Sequence, residues 1–309
     1  MIRTVCLNPA IDKTIQVPNF KLDSVNRVTE LRADAGGKGI NVSKVVKELG
    51  GQSVAYAILA GDAGRTIKSM VEAMGIEVKA VEVEGETRTN TKIVDQELHT
   101  NTDVNEPGPA TTEADFKALL DILVADIEEG DTVILAGSIP AGAAVDTYAT
   151  WVKACKDAGA KVFLDADGKV LDHGISAGPT MIKPNDIELS GMVGRDLDTL
   201  EKIDAAAREI MDRGVEWVTV SMGGEGALFV TPEKTYKASS PKVKVGSTVG
   251  AGDSVVAAIA YAQDQKLGII DTIKLAVATG SANVSMEGTQ AAPRDLVDSL
   301  IDQVGIEEL

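Results

Sequence analysis

Residues 247–260 run Ser247, Thr248, Val249, Gly250, Ala251, Gly252, Asp253, Ser254, Val255, Val256, Ala257, Ala258, Ile259, Ala260. A glycine-bracketed turn passes straight into an apolar, alanine-rich helix. The glycines let backbone N–H groups converge at the helix amino terminus, where unpaired donors and the helix dipole attract phosphate oxygens. An aspartate in the first turn is equally an ordinary favourable cap, and spacing alone leaves the two readings even. Outward from this junction, the stretch from Gly252 to about Met286 reads as two successive helices. A further helix near Leu296 to Val304 makes the carboxy-terminal third helix-rich.

Toward the amino terminus, short β-branched or apolar runs read as strands: Ile2 to Leu7, Ser53 to Leu59, Asp131 to Ala136, Lys161 to Asp165, Thr180 to Ile182 and Glu216 to Ser221. Between them apolar residues recur at three- and four-residue steps, as in Phe116, Leu119, Leu120, Leu123, Val124 and Ile127, and again in Leu197, Leu200, Ile203, Ile210 and Met211. This alternation predicts βαβ units around a mostly parallel sheet. Two stretches, within about 13–33 and 87–106, are polar, Thr-rich and without helical period, and read as extra strands outside that sheet. Arg88, Asn90 and Lys92 alternate there with Thr89, Thr91 and Ile93, so one face could meet a ligand. No linker rich in Pro, Gly and Ser divides the chain, which predicts one domain over residues 1–309 with the two excursions inserted into it.

The 309 residues are 44% hydrophobic and 25% charged, the balance of a folded globular protein. The net charge of −17 repels nucleic-acid phosphates and anionic lipid, so neither is an expected partner. An anionic small substrate would need a local cluster of cations. Cys6 and Cys155 read as separate reduced thiols. His99 and His173 lie far apart, read as surface residues, and neighbour no Gly-x-Ser-x-Gly elbow or cysteine cluster, so hydrolase triads and zinc sites find no support. Gly36, Gly37, Lys38, Gly39 has the wrong spacing for a Walker A loop, and the run from Gly250 places Val255 where a dinucleotide fingerprint needs its last glycine. The opening Met1 to Leu7 carries no charged leader, and no later stretch stays apolar long enough to span a bilayer; a cytoplasmic protein is expected.

Gly250, Ala251, Gly252, Asp253 resembles the carboxy-terminal signature of the ribokinase-like (PfkB) sugar kinases. Ala35, Gly36, Gly37, Lys38, Gly39, Ile40, Asn41, Val42, Ser43 is similar to the amino-terminal signature of the same family. Lys183, Pro184, Asn185, Asp186, Ile187, Glu188 resembles its segment for metal and phosphates, and Ser221, Met222, Gly223, Gly224, Glu225, Gly226 its nucleotide loop. Four motifs in family order span nearly the whole chain. The resemblance implies an α/β three-layer fold, a mostly parallel central sheet flanked by helices, with a small β-sheet lid that the two excursions would form. It implies an ATP-dependent phosphotransferase that uses Mg²⁺, with a homodimer formed through the lid.

Carried over position by position, the resemblance makes Asp253 the base, with the backbone of Gly250, Ala251 and Gly252 around the transferring group. Asp12, Gly37 and Asn41 would fix sugar hydroxyls. Lys183, Asn185, residues Ser221, Met222, Gly223, Gly224, Glu225 and Gly226, with Gly252 and Asn283, would serve ATP. Asn185 and Glu188 would reach Mg²⁺ through water. Ser247 stands where many members carry an aspartate tied to a monovalent cation site, which leaves potassium activation open. Leu7, Asn8, Pro9, Ala10, Ile11, Asp12 and Gly137, Ser138, Ile139, Pro140 are similar to the branch acting on ketohexose phosphates. There Lys38, Arg27 and Arg88 would gather around the phosphate already on the substrate, with Ser138 in the binding set. The stretch Thr102 to Gly108 resembles members acting on fructose 1-phosphate more than those acting on tagatose 6-phosphate. Asn105 within it is a candidate reader of a ring hydroxyl, and equally a common turn residue. A sugar phosphate sensor without chemistry is the reading from a different class, and the intact Asp253 argues against it.

Overall fold

In the computed structural model, which describes residues 1–309, β1 (Ile2–Cys6) leads into the hairpin of β2 (Ala10–Gln16) and β3 (Glu30–Gly36), and α1 (Lys38–Glu48) follows at once. Next come β4 (Ser53–Ala60), α2 (Gly61–Ala73), β5 (Glu77–Val83) and a second hairpin, β6 (Arg88–Asp95) with β7 (Thr100–Asn105). The chain continues through α3 (Glu113–Asp126), β8 (Thr132–Ala136), α4 (Thr147–Asp157), β9 (Lys161–Asp165), α5 (Gly168–Ile175) and β10 (Met181–Ile182). Then α6 (Asp186–Val193), α7 (Leu200–Met211), β11 (Trp217–Ser221), β12 (Ala227–Val230) and β13 (Thr235–Ser239) lead to α8 (Ala251–Asp264). Finally α9 (Ile269–Val284) and α10 (Arg294–Ile301) precede β14 (Gly305–Glu308).

The large sheet has the order β14-β13-β12-β11-β10-β9-β8-β1-β4-β5. Its strands from β5 across to β11 run parallel, and β12, β13 and β14 extend it antiparallel. Successive side chains alternate between its faces. Val133, Leu135, Val162 and Leu164 enter one core with Leu119 and Trp151, while Ile134 and Phe163 enter the other with Val256, Ile259 and Ile273. Helices cover both faces, which is why β8 is buried at every position and reads as a continuous apolar run. The strands read from the sequence are present, with ends moved by a residue and the Thr180 to Ile182 run reduced to Met181–Ile182. The expected helix-rich carboxy-terminal third holds α8, α9 and α10, but the sequence reading passed over β5, β12, β13 and β14. β5 and β14 are the two edge strands, paired on one side only and partly exposed, while β12 and β13 are short antiparallel strands inside the sheet.

The two polar excursions form a separate sheet, order β3-β2-β6-β7, with β2 and β6 parallel. Both hairpins leave from carboxyl ends of the large sheet, β2–β3 after β1 and β6–β7 after β5. The chain builds outward from β1 in one direction through β4 and β5, then returns to the other side for β8 to β11. Beside β1 the winding reverses, and the crevice outside the carboxyl ends at such a point is where open α/β sheets hold ligands. No helix is long and apolar enough to cross a membrane.

Candidate active site

A cavity of about 350 Å³ lies at this reversal, between the carboxyl ends of β1 and β8 and one face of the small sheet. Of its 22 lining residues only Cys6, Ala136 and Val249 are hydrophobic, so a ligand filling it must itself be polar. Asn8 Oδ1, Arg88 Nε, Asn90 Oδ1 and Thr289 Oγ1 are buried without a protein partner, and all four residues line this cavity. A buried polar atom left unpaired costs about 1–3 kcal/mol, which a polar ligand would recover.

At one end stands the amino terminus of α8. Gly250 precedes it in the left-handed region, φ +82°, where a side chain would be strained and a Cβ would sit 3.3 Å from Asn283 Nδ2. Asn283 is buried behind the turn and donates to Val249 O at 3.2 Å, so the structure places it as a brace for the loop. A Cβ on Gly252 would lie 2.9 Å from Lys183 Nζ, which shows how closely that lysine approaches the first turn. The N–H groups of Gly252 and Asp253 have no acceptor within the chain. Asp253 is buried, and its Oδ2 accepts a 2.8 Å hydrogen bond from Asn41 Nδ2. Burial and the charge of Asp165 push its carboxyl up to about 6, against the opposing pull of Lys38, Asn41 and Lys183.

Asp165, at the end of β9, is the centre of a charge network that the sequence reading did not include. Its Oδ1 lies 3.4 Å from Lys38 Nζ and 3.7 Å from Lys183 Nζ. Burial works against its charge, yet Lys183 and Lys38 hold it below the ordinary carboxylate range. Lys38 also reaches Asp167, at 3.4 Å. Burial disfavours the Lys38 ammonium, but Asp165, Asp167, Asp253 and Glu188 together hold it well above the ordinary lysine value. It remains fully charged.

The small sheet supplies the other end. Its register pairs Ala10 with Arg88, Asp12 with Asn90 and Asn90 with Asn105, so these side chains form rows across β2, β6 and β7. Arg88, Asn90, Lys92 and Asn105 all line the cavity, which identifies the ligand-facing set in the alternation of β6. Arg88 Nη2 donates to Asn8 O at 2.9 Å and lies 3.5 Å from Ser138 Oγ; Asn8 Nδ2 is 3.4 Å from the same hydroxyl. Asn90 Nδ2 donates to Asp12 Oδ1 at 3.1 Å. Gly37, Lys38 and Asn41 line the same space. Arg27 does not. It sits on an exposed loop between β2 and β3, beyond the Gln16–Glu30 end of that hairpin, six residues or about 20 Å of strand from the Ala10–Arg88 end. Of the expected trio of cations only Lys38 and Arg88 line the cavity, and of these Lys38 is turned to Asp165 and Asp167.

The two remaining motifs meet at the ends of β10 and β11, where Ser221 bridges Asn185 and its N–H donates to Pro184 O at 3.0 Å. Gly223, Gly224 and Glu225 form an exposed 3₁₀ turn, while the Met222 side chain is buried in the core, leaving only its backbone toward the loop. Gly226 is buried beneath the turn. Asn185 and Glu188 are first a capping box for α6: Asn185 Oδ1 accepts from Glu188 N at 2.7 Å, and Glu188 Oε2 from Asn185 N at 2.8 Å. No group of three His, Cys, Asp or Glu side chains is arranged to hold a metal directly. Glu188 Oε1 and the buried, unpartnered Asp165 Oδ2 are hard oxygen donors, and a magnesium ion that keeps most of its waters needs few protein ligands. Among residues left out of the sequence reading, Lys92 was signalled by the alternation of β6, and Asn8 lay inside a quoted motif. Asp165 and Asp167 carried no signal beyond two acidic residues at a strand end.

The pfkB family carbohydrate kinase profile matches residues 5–295. The 1-phosphofructokinase of Bacillus subtilis is 36% identical over 309 residues, 100% of both chains. The tagatose-6-phosphate kinase of Staphylococcus epidermidis is 32% identical over 312 residues, again 100% of both. Among solved structures, Escherichia coli phosphofructokinase-2 in complex with substrates and products matches with a TM-score of 0.93 at 30% identity, over 98% of each chain.

Proposed function

The chain belongs to the pfkB family of carbohydrate kinases, and from that premise we propose that it transfers the terminal phosphoryl group of ATP to fructose 1-phosphate, giving fructose 1,6-bisphosphate. The observation that carries this reading is a buried carboxylate, Asp253, at the amino terminus of α8, in a polar cavity that also holds Arg88 and Ser138. The substrate's own phosphate sits against Arg88, Ser138 and Asn8, and Lys92 adds positive charge nearby. Ring hydroxyls meet Asp12, Gly37, Asn41, Asn90 and Asn105. The acceptor hydroxyl lies at Asp253, which takes its proton as the new O–P bond forms and the bond from the terminal phosphorus to the bridging oxygen breaks, releasing ADP.

The free N–H groups of Gly252 and Asp253, with Lys38 and Lys183, face the charge that shifts during transfer and need no reorganisation to meet it. The nucleotide lies along Lys183, Asn185 and the Ser221 to Gly226 loop, and Asn283 braces the turn that receives its terminal phosphate. Glu188 and Asn185 would hold Mg²⁺ through water, where it supplies charge neutralisation for the phosphates. The ten-stranded body and the four-stranded lid act as one kinase domain, and closure of the lid keeps water from competing as acceptor. Leu22, Val25, Val28 and Leu31 are exposed on and beside the lid, an apolar surface that a second copy of the chain would cover as a homodimer. The test is ADP release with fructose 1-phosphate against fructose 6-phosphate and unphosphorylated fructose. Equal rates on the unphosphorylated sugar would remove the role of Arg88 and its neighbours.

A further inference from the structure

One buried lysine belongs to none of these roles. Lys44, one turn after Asn41 on α1, is buried and points its ammonium at two acceptors, Asn41 Oδ1 at 3.1 Å and Ala35 O at 2.9 Å. An asparagine amide can face either way, and its two ends have opposite electrostatic sense. A lysine ammonium donates only, so the Asn41 oxygen must face Lys44, and the Asn41 NH₂ is left to face Asp253 Oδ2 at 2.8 Å. The reversed amide would bring an oxygen against a carboxylate and an NH₂ against an ammonium, two repulsions in a buried site. The second bond, to Ala35, falls in β3 beside the pair with Ile11, so the same ammonium ties the root of the lid to the amide.

We propose that Lys44 is a positioning residue for phosphoryl transfer: through the Asn41 amide it fixes Asp253 so that the second carboxylate oxygen is presented to the acceptor hydroxyl. This inference rests on Asp253 being the base. Charged groups reach Lys44 from every side, Asp34 and Arg32 from β3, Asp12 from β2 and Asp253 from α8, and its burial outweighs the three carboxylates so that its pKa lies below the ordinary lysine value. Asp253 is faced in turn by Asp165 from β9, Lys38 and Asn41 from α1, and Lys183 from the segment after β10.

The test compares wild type, Lys44→Met and Lys44→Arg, with the thermal midpoint of each measured alongside. Loss of the amide's orientation should lower kcat about 10- to 100-fold in Lys44→Met, the scale of a misplaced catalytic group, with KM for ATP within about two-fold of wild type. It should also move the acid limb of the kcat/KM profile upward by about one pH unit, because Asp253 loses a donor and a nearby cation. Lys44→Arg, which can donate to both acceptors, should restore both readouts in large part. In an Asn41→Ala background the Lys44→Met change should add little, since a residue acting through another has nothing left to act on. Should Lys44→Met not fold, Lys44→Gln is read in the same way. A fall in kcat with an unmoved acid limb, or full additivity with Asn41→Ala, overturns the proposal and leaves Lys44 a packing residue. Turnover by wild type is the separate measure of the kinase reading on which it rests.

Discussion

Replacing Asp253 by asparagine should cut turnover sharply and at the same time stabilise the protein. The carboxyl is buried and its pKa lies at about 6, against an ordinary value of 3.8. That difference makes the ionised form cost roughly 3 kcal/mol of folding stability, at about 1.4 kcal/mol per pH unit. An asparagine mimics the protonated acid, and its oxygen can still accept from Asn41. Because the folded pKa is raised, the native state holds the proton more tightly than the unfolded chain does. Stability from this group therefore falls as pH rises from about 4 to about 6, and the full cost is present above that window. The gain from Asp253→Asn should be complete at pH 7.5 and nearly gone by pH 4. In a chain of 309 residues it corresponds to a rise in Tm of roughly 4–6 °C. Calorimetry at pH 7.5 and pH 5, with turnover measured on the same samples, checks both halves; kcat should drop about 10²-fold or more. An unchanged or lower Tm at pH 7.5, or an advantage that grows toward acid, would refute the reasoning.

Three further outcomes follow from the same geometry. Arg88→Ala should raise KM for the sugar phosphate about 10- to 100-fold, the loss of one charge-assisted partner, and leave KM for ATP little changed; initial-rate kinetics in each substrate separate the two. Lys38→Met removes a cation that favours ionised Asp253, so the acid limb of kcat/KM should move to higher pH than in wild type. The substrate phosphate's own titration is common to both enzymes and cancels in that comparison. Glu188→Gln keeps an oxygen to accept from Asn185 N but loses the charge, so the Mg²⁺ concentration for half-maximal activity should rise several-fold while the Tm stays within about 1 °C.

Much of this site was legible because phosphate chemistry relies on backbone, and backbone needs glycine. Gly250 and Gly252 stand where a side chain would be strained or would meet Lys183, so the spacing of that signature records the geometry directly. The central strands were legible for a similar reason, since β8 and β9 must be apolar on both faces. The polar lid strands were visible only as departures from that rhythm, and the period of β6 gave the alternating set without saying which half faced the ligand. Arg27 shows the limit of position along a chain: it lies inside the right excursion, but on the exposed loop beyond the Gln16–Glu30 end of the hairpin, and it does not line the cavity. Asp165 and Lys44 were unreadable for a different cause. Each works through partners brought together by tertiary contact, Asp165 with two lysines from different motifs and Lys44 with Asn41 and a lid carbonyl. A lone aspartate at a strand end and a lysine in a helix carry no periodic signal.

The central claim is phosphorylation of a ketohexose that already bears a phosphate, and fructose 1-phosphate in particular. The most direct test measures kcat/KM by ADP release on one preparation for fructose 1-phosphate, tagatose 6-phosphate and fructose 6-phosphate. One phosphate site could hold all three, since each carries its phosphate at one end of the sugar and its acceptor hydroxyl at the other. Discrimination then falls to hydroxyl contacts such as those at Asp12, Asn90 and Asn105. Fructose 1-phosphate should give the highest value, by about ten-fold or more, the scale at which one hydrogen bond in a built site separates analogues. A higher value for tagatose 6-phosphate would contradict the substrate assignment, and absence of ADP release with all three would contradict the kinase itself.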